Sequence, residues 1–315
     1  MNTERSSLTL TRRQIVGASL ALAATPSLTY PAWAQTVATR SMGDDAKLHV
    51  LSDGSINLPL ALLSRSASHE EIRDALAGAG LPTDQAVAAL NVTVLADGKD
   101  LIVFDCGAGP NFVPTAGRFA DAFAKAGFDP AAVKHVVFTH AHPDHLWGAV
   151  DDFDMPAFPE ARYHIAAPEW DAWFAPNVFE TLPDDRQAFA AGAQRILKIL
   201  EPQIARFRPG DEILPGILAQ DTRGHTPGHV SYAIRRGGES FLVLGDALTH
   251  PVISFRHPDW HGGFDQEPER AVATRRRLLD QAAFEKLAIV GYHLPDGGIG
   301  RVEPKGTAYR FAPGS

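Results

Sequence analysis

A short stretch near the middle of the chain combines the side chains that bind divalent metals. His140, His142, Asp144 and His145 fall within six residues, directly after the apolar run 136–138. Imidazole and carboxylate groups together suit zinc and similar first-row cations. His140 and His142 alternate, so both rings can converge on one cation, while Asp144 and His145 can reach a second from the following turn. A polar loop rarely carries this combination by chance, and the stretch therefore predicts a metal site.

Three later loops offer further donors, and each follows a predicted strand. Glycine stands close to the candidate donors His225, Asp246 and His293 in these loops. Glycine permits tight turns and a close approach of the backbone. If the strands end at one edge of the fold, the loops bring their donors to the segment 140–145. His250 also lies in one of these loops, and the sequence leaves it open between a pocket wall and an ordinary loop residue.

The N-terminus reads as an export signal. The pair Arg12-Arg13 precedes an apolar run, and Ala32-Trp33-Ala34 supplies a small-x-small cleavage site. We therefore expect residues 1–34 to be a twin-arginine signal that is removed, and the mature protein to be periplasmic. A polar linker over 35–47 and one domain over 48–315 are expected to follow. No run of eighteen apolar residues indicates a permanent membrane segment.

Charge and cysteine content exclude some classes of protein. The formal net charge is -8, and loss of residues 1–34 removes three arginines and one glutamate, which leaves -10. Nucleic-acid binders usually carry basic patches, so a nucleic-acid partner is not expected. Cys106 is the single cysteine, so an internal disulfide is impossible. We expect it to be a buried packing residue.

The order of predicted elements indicates an α/β fold. Asp-Gly pairs at 53–54 and 97–98 separate apolar runs and predict hairpins. A strand over 133–139 carries the first metal motif, and a second block of strands begins near residue 213. Two blocks of strands, each with late helices, predict two sheets packed face to face with helices outside.

Taken together, the motifs resemble those of a known family. The order HxHxDH, then GHTPGH, then strand-Gly-Asp, then a final histidine is similar to that of the metallo-β-lactamase superfamily of dinuclear metal hydrolases. Within it, the chain most resembles the methyl parathion hydrolase branch with its related lactonases and esterases, from about Ser52 to Phe311, and the resemblance includes the segments 105–107 and 169–173. The resemblance implies a four-layer αββα sandwich.

The resemblance also implies a ligand set and a substrate pocket. One metal would be held by His140, His142 and His225. The second would be held by Asp144, His145 and His293. Asp246 would bridge the two metals, for which zinc is expected. Supporting roles around the metals fall to Asp105 and His229, and the pocket aromatics would be Phe112, Trp173 and Phe189.

Such a site predicts metal-assisted hydrolysis of a small molecule. A metal-bridging hydroxide would attack a lactone, an aryl ester or an organophosphate triester, and Asp144 would act as the catalytic proton acceptor. A thioester hydrolase of the glyoxalase II type is an alternative, because it shares the ligand set. A non-catalytic metal-binding protein is the alternative from a different class. The resemblance further implies a homodimer.

Overall fold

Two seven-stranded mixed sheets form the centre of the protein in the computed structural model, which describes residues 38–43 and 45–314. The first sheet contains, in spatial and chain order, β1 (Ala38–Met42), β2 (Ala46–Pro59), β3 (Gln85–Asp97), β4 (Asp100–Phe104), β5 (Val133–Val137), β6 (Arg162–Ala166) and β7 (Ile204–Phe207). Its first four strands pair antiparallel, whereas β4 to β7 pair parallel. Parallel strands end at one edge, which is where the first metal motif follows β5.

The second sheet is made by the C-terminal part of the chain. It contains β8 (Glu212–Leu214), β9 (Ile217–Asp221), β10 (Val230–Arg236), β11 (Glu239–Val243), β12 (Ala288–Val290), β13 (Ile299–Lys305) and β14 (Ala308–Pro313). Only β11 and β12 pair parallel. Their connection contains a long helix, as a parallel crossover requires.

Helices cover the outer faces of both sheets. They are α1 (His69–Ala77), α2 (Phe119–Lys125), α3 (Pro143–Leu146), α4 (Ala167–Trp173), α5 (Val178–Thr181), α6 (Gln187–Leu200), α7 (Ile253–Arg256) and α8 (Pro268–Phe284). Ser68 begins α1 with a capping box, in which its side chain accepts from the Glu71 amide and the Glu71 carboxylate accepts from the Ser68 amide. None of the helices in the described ranges is both long and apolar enough to cross a membrane.

Buried side chains form separate cores between the layers. Phe104 and Val137 of the first sheet pack with Tyr232 and Val243 of the second in the core between the sheets. A second core lies between the first sheet and helices that include α2 and α6. A third lies between the second sheet and α8. The order helix, sheet, sheet, helix confirms the predicted four-layer αββα sandwich.

The structure corrects the expected linker over 35–47. Residues 38–42 form β1, which pairs with β2 from Ala38 opposite Val50 to Met42 opposite Ala46. Met42 is buried in the core between the sheets. The polar composition of this segment hides a strand, because only one face of an edge strand needs apolar side chains. The export signal expected over 1–34 lies outside the described residues.

The hairpin expected at Asp53-Gly54 is also wrong. Strand β2 continues through this pair, and its register against β3 shifts between Ser52 and Gly54. The Asp53 carboxylate is buried and accepts hydrogen bonds from the backbone amides of Ala108 and Phe119. The pair therefore marks a β-bulge that turns a carboxylate inward. The second expected hairpin, at Asp97-Gly98, is confirmed by the pairing of β3 with β4.

Candidate metal centre

The first group of donors is presented by the turn that follows β5. The chain passes from Val137 through His140 and His142 into α3, whose first residue is Pro143. Proline suits this position because the first amides of a helix have no partner within it. Asp144 and His145 follow in the same short helix, and all four donor side chains are buried.

The second group comes from three turns of the second sheet. His225 lies between β9 and β10, Asp246 lies in a short 3-10 turn after β11, and His293 follows β12. Gly245 allows the Asp246 turn to come close to the first sheet. It has a φ of 55°, and a Cβ placed there would lie 2.8 Å from Thr139 Cβ, just after β5 of the first sheet, and 2.6 Å from His229 Nε2. A larger residue at Gly245 would push the two sheets' loops apart.

The donors of both sheets meet in one volume. Within each of two sets, one donor atom per residue lies within 4.8 Å of the others: His140, His142, His225 and Asp246 in the first set; Asp144, His145 and His293 in the second. The Asp246 carboxylate lies between the sets. Its Oδ2 is 3.3 Å from His225 Nε2 and 3.1 Å from His293 Nε2, and its Oδ1 is 3.0 Å from His145 Nε2.

Unpaired buried atoms show that this cluster fits cations. His140 Nε2 is buried and makes no hydrogen bond within the described part of the chain, and His145 Nε2 and Asp246 Oδ1, which lie 3.0 Å apart, have no other partner there. Buried polar atoms without partners are costly, and they are rare in folded proteins. Two divalent cations, one in each donor set, would accept these lone pairs. The donor chemistry, imidazole with carboxylate, is that of zinc sites.

Hydrogen bonds on the far side of the rings orient the imidazoles. His145 Nδ1 is 2.7 Å from Asp105 Oδ2, and His293 Nδ1 donates to the Ala89 carbonyl at 2.8 Å. His140 Nδ1 lies 3.0 Å from the Thr139 hydroxyl, which itself donates to Asp105. These bonds leave the Nε2 lone pairs of the three rings directed at the cluster.

Burial and neighbouring charges set the protonation of the donors. Burial, and then the charge of His145, holds the pKa of His140 well below its usual value. Burial also lowers the pKa of His142, with a further contribution from His225. The pKa of His145 is raised well above its usual value, because the carboxylates of Asp246 and Asp144 outweigh its burial. A cation that binds here must therefore displace a proton from His145.

His229 and His250 lie in the same loops but outside both donor sets. His229 Nε2 accepts from the Asp246 amide at 2.9 Å, and its Nδ1 lies 2.8 Å from the Thr222 hydroxyl. Burial lowers the pKa of His229 to about 3, so it is a neutral acceptor that holds the Asp246 turn. His250 Nδ1 accepts from the amides of Val252 and Ile253 at the start of α7.

Glu169 is a structural residue of the site whose role the sequence does not reveal. Its buried carboxylate accepts from the Ala141 amide at 2.9 Å, the Gly228 amide at 3.0 Å and the Thr226 hydroxyl at 2.6 Å. It also accepts from Trp173 Nε1 at 2.7 Å. Glu169 thereby ties the turn of His140 and His142 to the loop of His225. It belongs to the segment 169–173 that carries the resemblance, which is the one signal that could have drawn attention to it.

Asp265 is the second such residue, and nothing in the sequence marks it. Its Oδ1 is 3.2 Å from His225 Nδ1, and its Oδ2 accepts from Arg275 Nη2 at 3.0 Å and from the Gly262 amide at 2.9 Å. Burial alone would raise the pKa of Asp265, but the hydrogen bond from His225, followed by the charges of Arg275 and His225, lowers it to about 2. Asp265 therefore orients His225 as Asp105 orients His145.

An apolar cleft opens over the donors. Asp144, Asp246 and His293 line its floor, and Phe112 and Phe189 line its wall. The rest of the wall is formed mainly by Ile56, Leu58, Leu62, Leu63 and Phe264, which sequence reasoning did not identify. Ring centroids of Phe112 and Phe189 lie 6.4 Å apart.

Trp173, the third expected pocket aromatic, does not line this cleft. Its ring is almost completely buried, and its centroid lies 5.9 Å from that of His142. It borders an adjoining cavity and donates to Glu169. Trp173 therefore supports the His142 turn from behind.

Comparisons with known proteins agree with this geometry. A probable metallo-hydrolase of Mycobacterium bovis is 33% identical over 129 residues, which cover 39% of this chain and 40% of that protein. The N-acyl homoserine lactonase AttM of Agrobacterium fabrum is 32% identical over 185 residues, covering 56% of this chain and 64% of that protein. The chain thus spans between 40% and 64% of the length of these two relatives.

Solved structures match over a larger share of the chain. AidC, a dizinc quorum-quenching lactonase solved in complex with a product, has a TM-score of 0.83 and 26% identity, and the match covers 90% of this chain and 99% of AidC. The hydrolase AbOPH has a TM-score of 0.81 and 26% identity over 89% of this chain and 98% of its own. The sequence model of the metallo-beta-lactamase superfamily matches residues 88–293, a range that contains all seven donors. This chain belongs to the metallo-beta-lactamase superfamily, as its motifs indicated.

Proposed function

We propose that this protein is a metal-dependent hydrolase of lactones and aryl esters. The observation that carries the proposal is the position of Asp246 between two sets of buried donors, on the floor of an apolar cleft. A metal site that only stored or carried cations would have no need of an apolar cavity above it. The likeness to AidC, a dizinc lactonase, supports the same substrate class.

The two donor sets would hold two divalent cations, with zinc as the expected metal. His140, His142 and His225 would bind one, and Asp144, His145 and His293 would bind the other. Asp246 would contact both. Cations in these positions would supply a hydroxide nucleophile at neutral pH and a Lewis acid for the substrate carbonyl.

The protein's own groups would position the substrate and move the proton. The hydrophobic wall around Phe112 would bind the acyl or aryl part and exclude water from the reacting carbonyl. Asp144 lines the cleft, with its Oδ2 3.4 Å from His293 Nε2. Its carboxylate can receive the proton released during attack and return it to the leaving oxygen. His229 and Asp105 would keep Asp246 and His145 in place during this exchange.

The test combines metal analysis with a hydrolysis panel. Purified protein is quantified for zinc and assayed with lactones, aryl esters, thioesters and phosphotriesters. We expect two zinc equivalents per chain, and turnover of lactones and aryl esters above that of the other classes. Asp246→Ala should lose turnover, whereas Asp74→Ala on the exposed face of α1 should not. Full activity of Asp246→Ala, or turnover of thioesters alone, would contradict the proposal.

We also propose that the protein is exported by the twin-arginine route, on the basis of Arg12-Arg13 and the cleavage signal at 32–34. Cell fractionation of the full chain should find it in the periplasm, shortened by 34 residues. Replacement of both arginines with lysine should retain it, uncleaved, in the cytoplasm. A periplasmic double-lysine variant would contradict this assignment.

A further inference from the structure

A second cavity adjoins the cleft on the side of His142. The two cavities share His142, Phe189, Phe264 and Asp265 in their walls. A substrate whose scissile bond lies over the donors can therefore extend into either cavity. Because two arginines, Arg65 and Arg186, line the second cavity, we call it the arginine cavity.

Arg186 is a buried cation with donors to spare. Its side chain is about nine-tenths buried, at 6% relative exposure. Nη2 donates to the Gly263 carbonyl at 2.8 Å, and the guanidinium lies 4.4 Å from the centroid of the Phe264 ring. A guanidinium has five N–H donors, so most of them remain available. Burial, followed by the charge of Arg65, lowers the pKa of Arg186, although it stays protonated at neutral pH.

Neither arginine is neutralised by a carboxylate of the cavity wall. Asp265 is held by Arg275, and Glu267 lies 3.3 Å from Arg270. Within the described residues, no carboxylate oxygen lies within 4.0 Å of a nitrogen of Arg65 or Arg186. Two like charges at one cavity, one of them buried, raise the free energy of the unliganded protein. An anion bound between them would lower it.

We propose that the arginine cavity binds a carboxylate that the substrate carries at the end remote from its scissile bond. Arg186 would contact the carboxylate inside the cavity, and Arg65, which is exposed, would attract it at the rim. The preferred substrates would then be lactones or esters of dicarboxylic acids with one carboxylate left free. This inference rests on the proposed hydrolase function and narrows its substrate class.

Two esters of equal chain length separate charge from shape. The neutral probe is 4-nitrophenyl hexanoate, and the anionic probe is mono-4-nitrophenyl adipate. The measured quantity is the ratio of kcat/KM for the anionic ester to that for the neutral ester. We expect the wild-type ratio to exceed one. It should fall about 10-fold to 100-fold in Arg186→Gln, which loses a charge-assisted contact, and a few-fold in Arg65→Gln.

Controls separate a binding effect from a folding effect. Arg73→Gln, an exposed arginine on α1, should leave the ratio unchanged. Arg186→Lys keeps the charge and should retain part of the preference. If Arg186→Gln does not fold, Arg65→Gln and a salt series provide the test. Raising the ionic strength from about 0.05 M to about 0.5 M should lower kcat/KM for the anionic ester and leave that for the neutral ester unchanged. An unchanged ratio in folded Arg186→Gln, or a wild-type preference for the neutral ester, would overturn the inference.

A binding measurement distinguishes failure of this inference from failure of the hydrolase function. If neither ester is hydrolysed, equilibrium dialysis with adipate and hexanoate tests the cavity directly, and the hydrolase proposal itself fails if the lactones of the panel are not hydrolysed either. Tighter binding of adipate that Arg186→Gln loses, or that Arg65→Gln weakens a few-fold, would support the arginine cavity as an anion site. Equal binding of the two acids would overturn it.

Discussion

Asp265 gives the sharpest test of how the metal centre is built. Replacing it with alanine removes the acceptor of His225 Nδ1, which lies 3.2 Å from the carboxylate, and the partner of Arg275, at 3.0 Å. The imidazole of His225 would then be free to turn, and its Nε2 would no longer be directed at Asp246. The donors Asp144 and His293 make no hydrogen bond or ion pair with Asp265 and should keep their geometry.

The expected size of the effect differs between the two cations. Loss of a carboxylate behind a metal-binding histidine typically weakens metal affinity about 10-fold to 100-fold, which corresponds to about 1.4–2.7 kcal/mol. Only the cation that His225 binds should lose affinity in this way. Arg275 would also be left as a buried charge, and breaking such a pair costs about 3–5 kcal/mol of stability. Its bonds to the carbonyls of Pro258 and Trp260 should keep the cost near the lower end.

Competition with a chelator of known affinity measures both effects in one protein. In Asp265→Ala, one of the two zinc ions should bind about 10-fold to 100-fold more weakly, and the affinity for the other should change little. The double variant Asp265→Ala/Arg275→Met removes the unpaired charge as well, so it should recover stability in urea without recovering zinc affinity. Unchanged affinity of both equivalents, or equal weakening of both, would refute the assignment of Asp265 to His225.

Three further predictions concern the surroundings of the centre. Glu169→Gln cannot accept all four hydrogen bonds of the carboxylate, so it should lower the free energy of unfolding by about 3 kcal/mol in urea titrations, and an unchanged midpoint would contradict this. Phe112→Ala should raise KM for apolar aryl esters about 10-fold, because it exposes the cleft, while zinc content stays at the wild-type level. Burial lowers the pKa of His250 from 6.5 to about 4. The stability provided by its neutral ring is therefore present above pH 6.5 and is lost as the pH falls toward 4. The side chain of His250→Asn accepts a hydrogen bond but does not titrate. As the pH falls through this window, its free energy of unfolding should therefore decrease by about 1.4 kcal/mol per pH unit less than that of the wild type. Equal slopes in the two proteins would exclude the role given to His250.

Local sequence patterns predict the layers of the fold and the convergence of the metal donors, because the donor residues directly follow predicted strands. His140 and His142 come directly after an apolar run, and Asp246 and His293 follow two further apolar runs. When these strands pair, their ends lie at one edge of the sheets. The convergence of the donors can therefore be predicted without knowledge of their contacts. The family match confirms the same interpretation for the fold.

Residues whose roles depend on distant partners are not visible in the sequence. Asp53 sits in a sequence typical of a hairpin turn, yet its carboxylate binds amides 55 and 66 positions away. Asp265 contacts His225 from 40 positions away, and it lies in the segment between α7 and α8, which has no regular secondary structure. Trp173 is expected in the pocket over the metals, but Glu169 accepts its indole N–H, and the ring borders the adjoining cavity instead. Tertiary contacts, rather than local propensity, decide these positions.

The division of the donors between two sheets has a consequence for the lifetime of the folded chain. His142 and His225 are 83 positions apart, and their donor nitrogens lie 2.9 Å from each other. A cation held by both would close a loop of this length, and a covalent cross-link of the same span stabilises a protein by about 4.5 kcal/mol in the chain-entropy model. With one cysteine, the chain has no disulfide to serve this purpose. Zinc would then be a removable cross-link between the two halves of the sandwich, so that metal supply would govern resistance to unfolding and proteolysis as well as turnover.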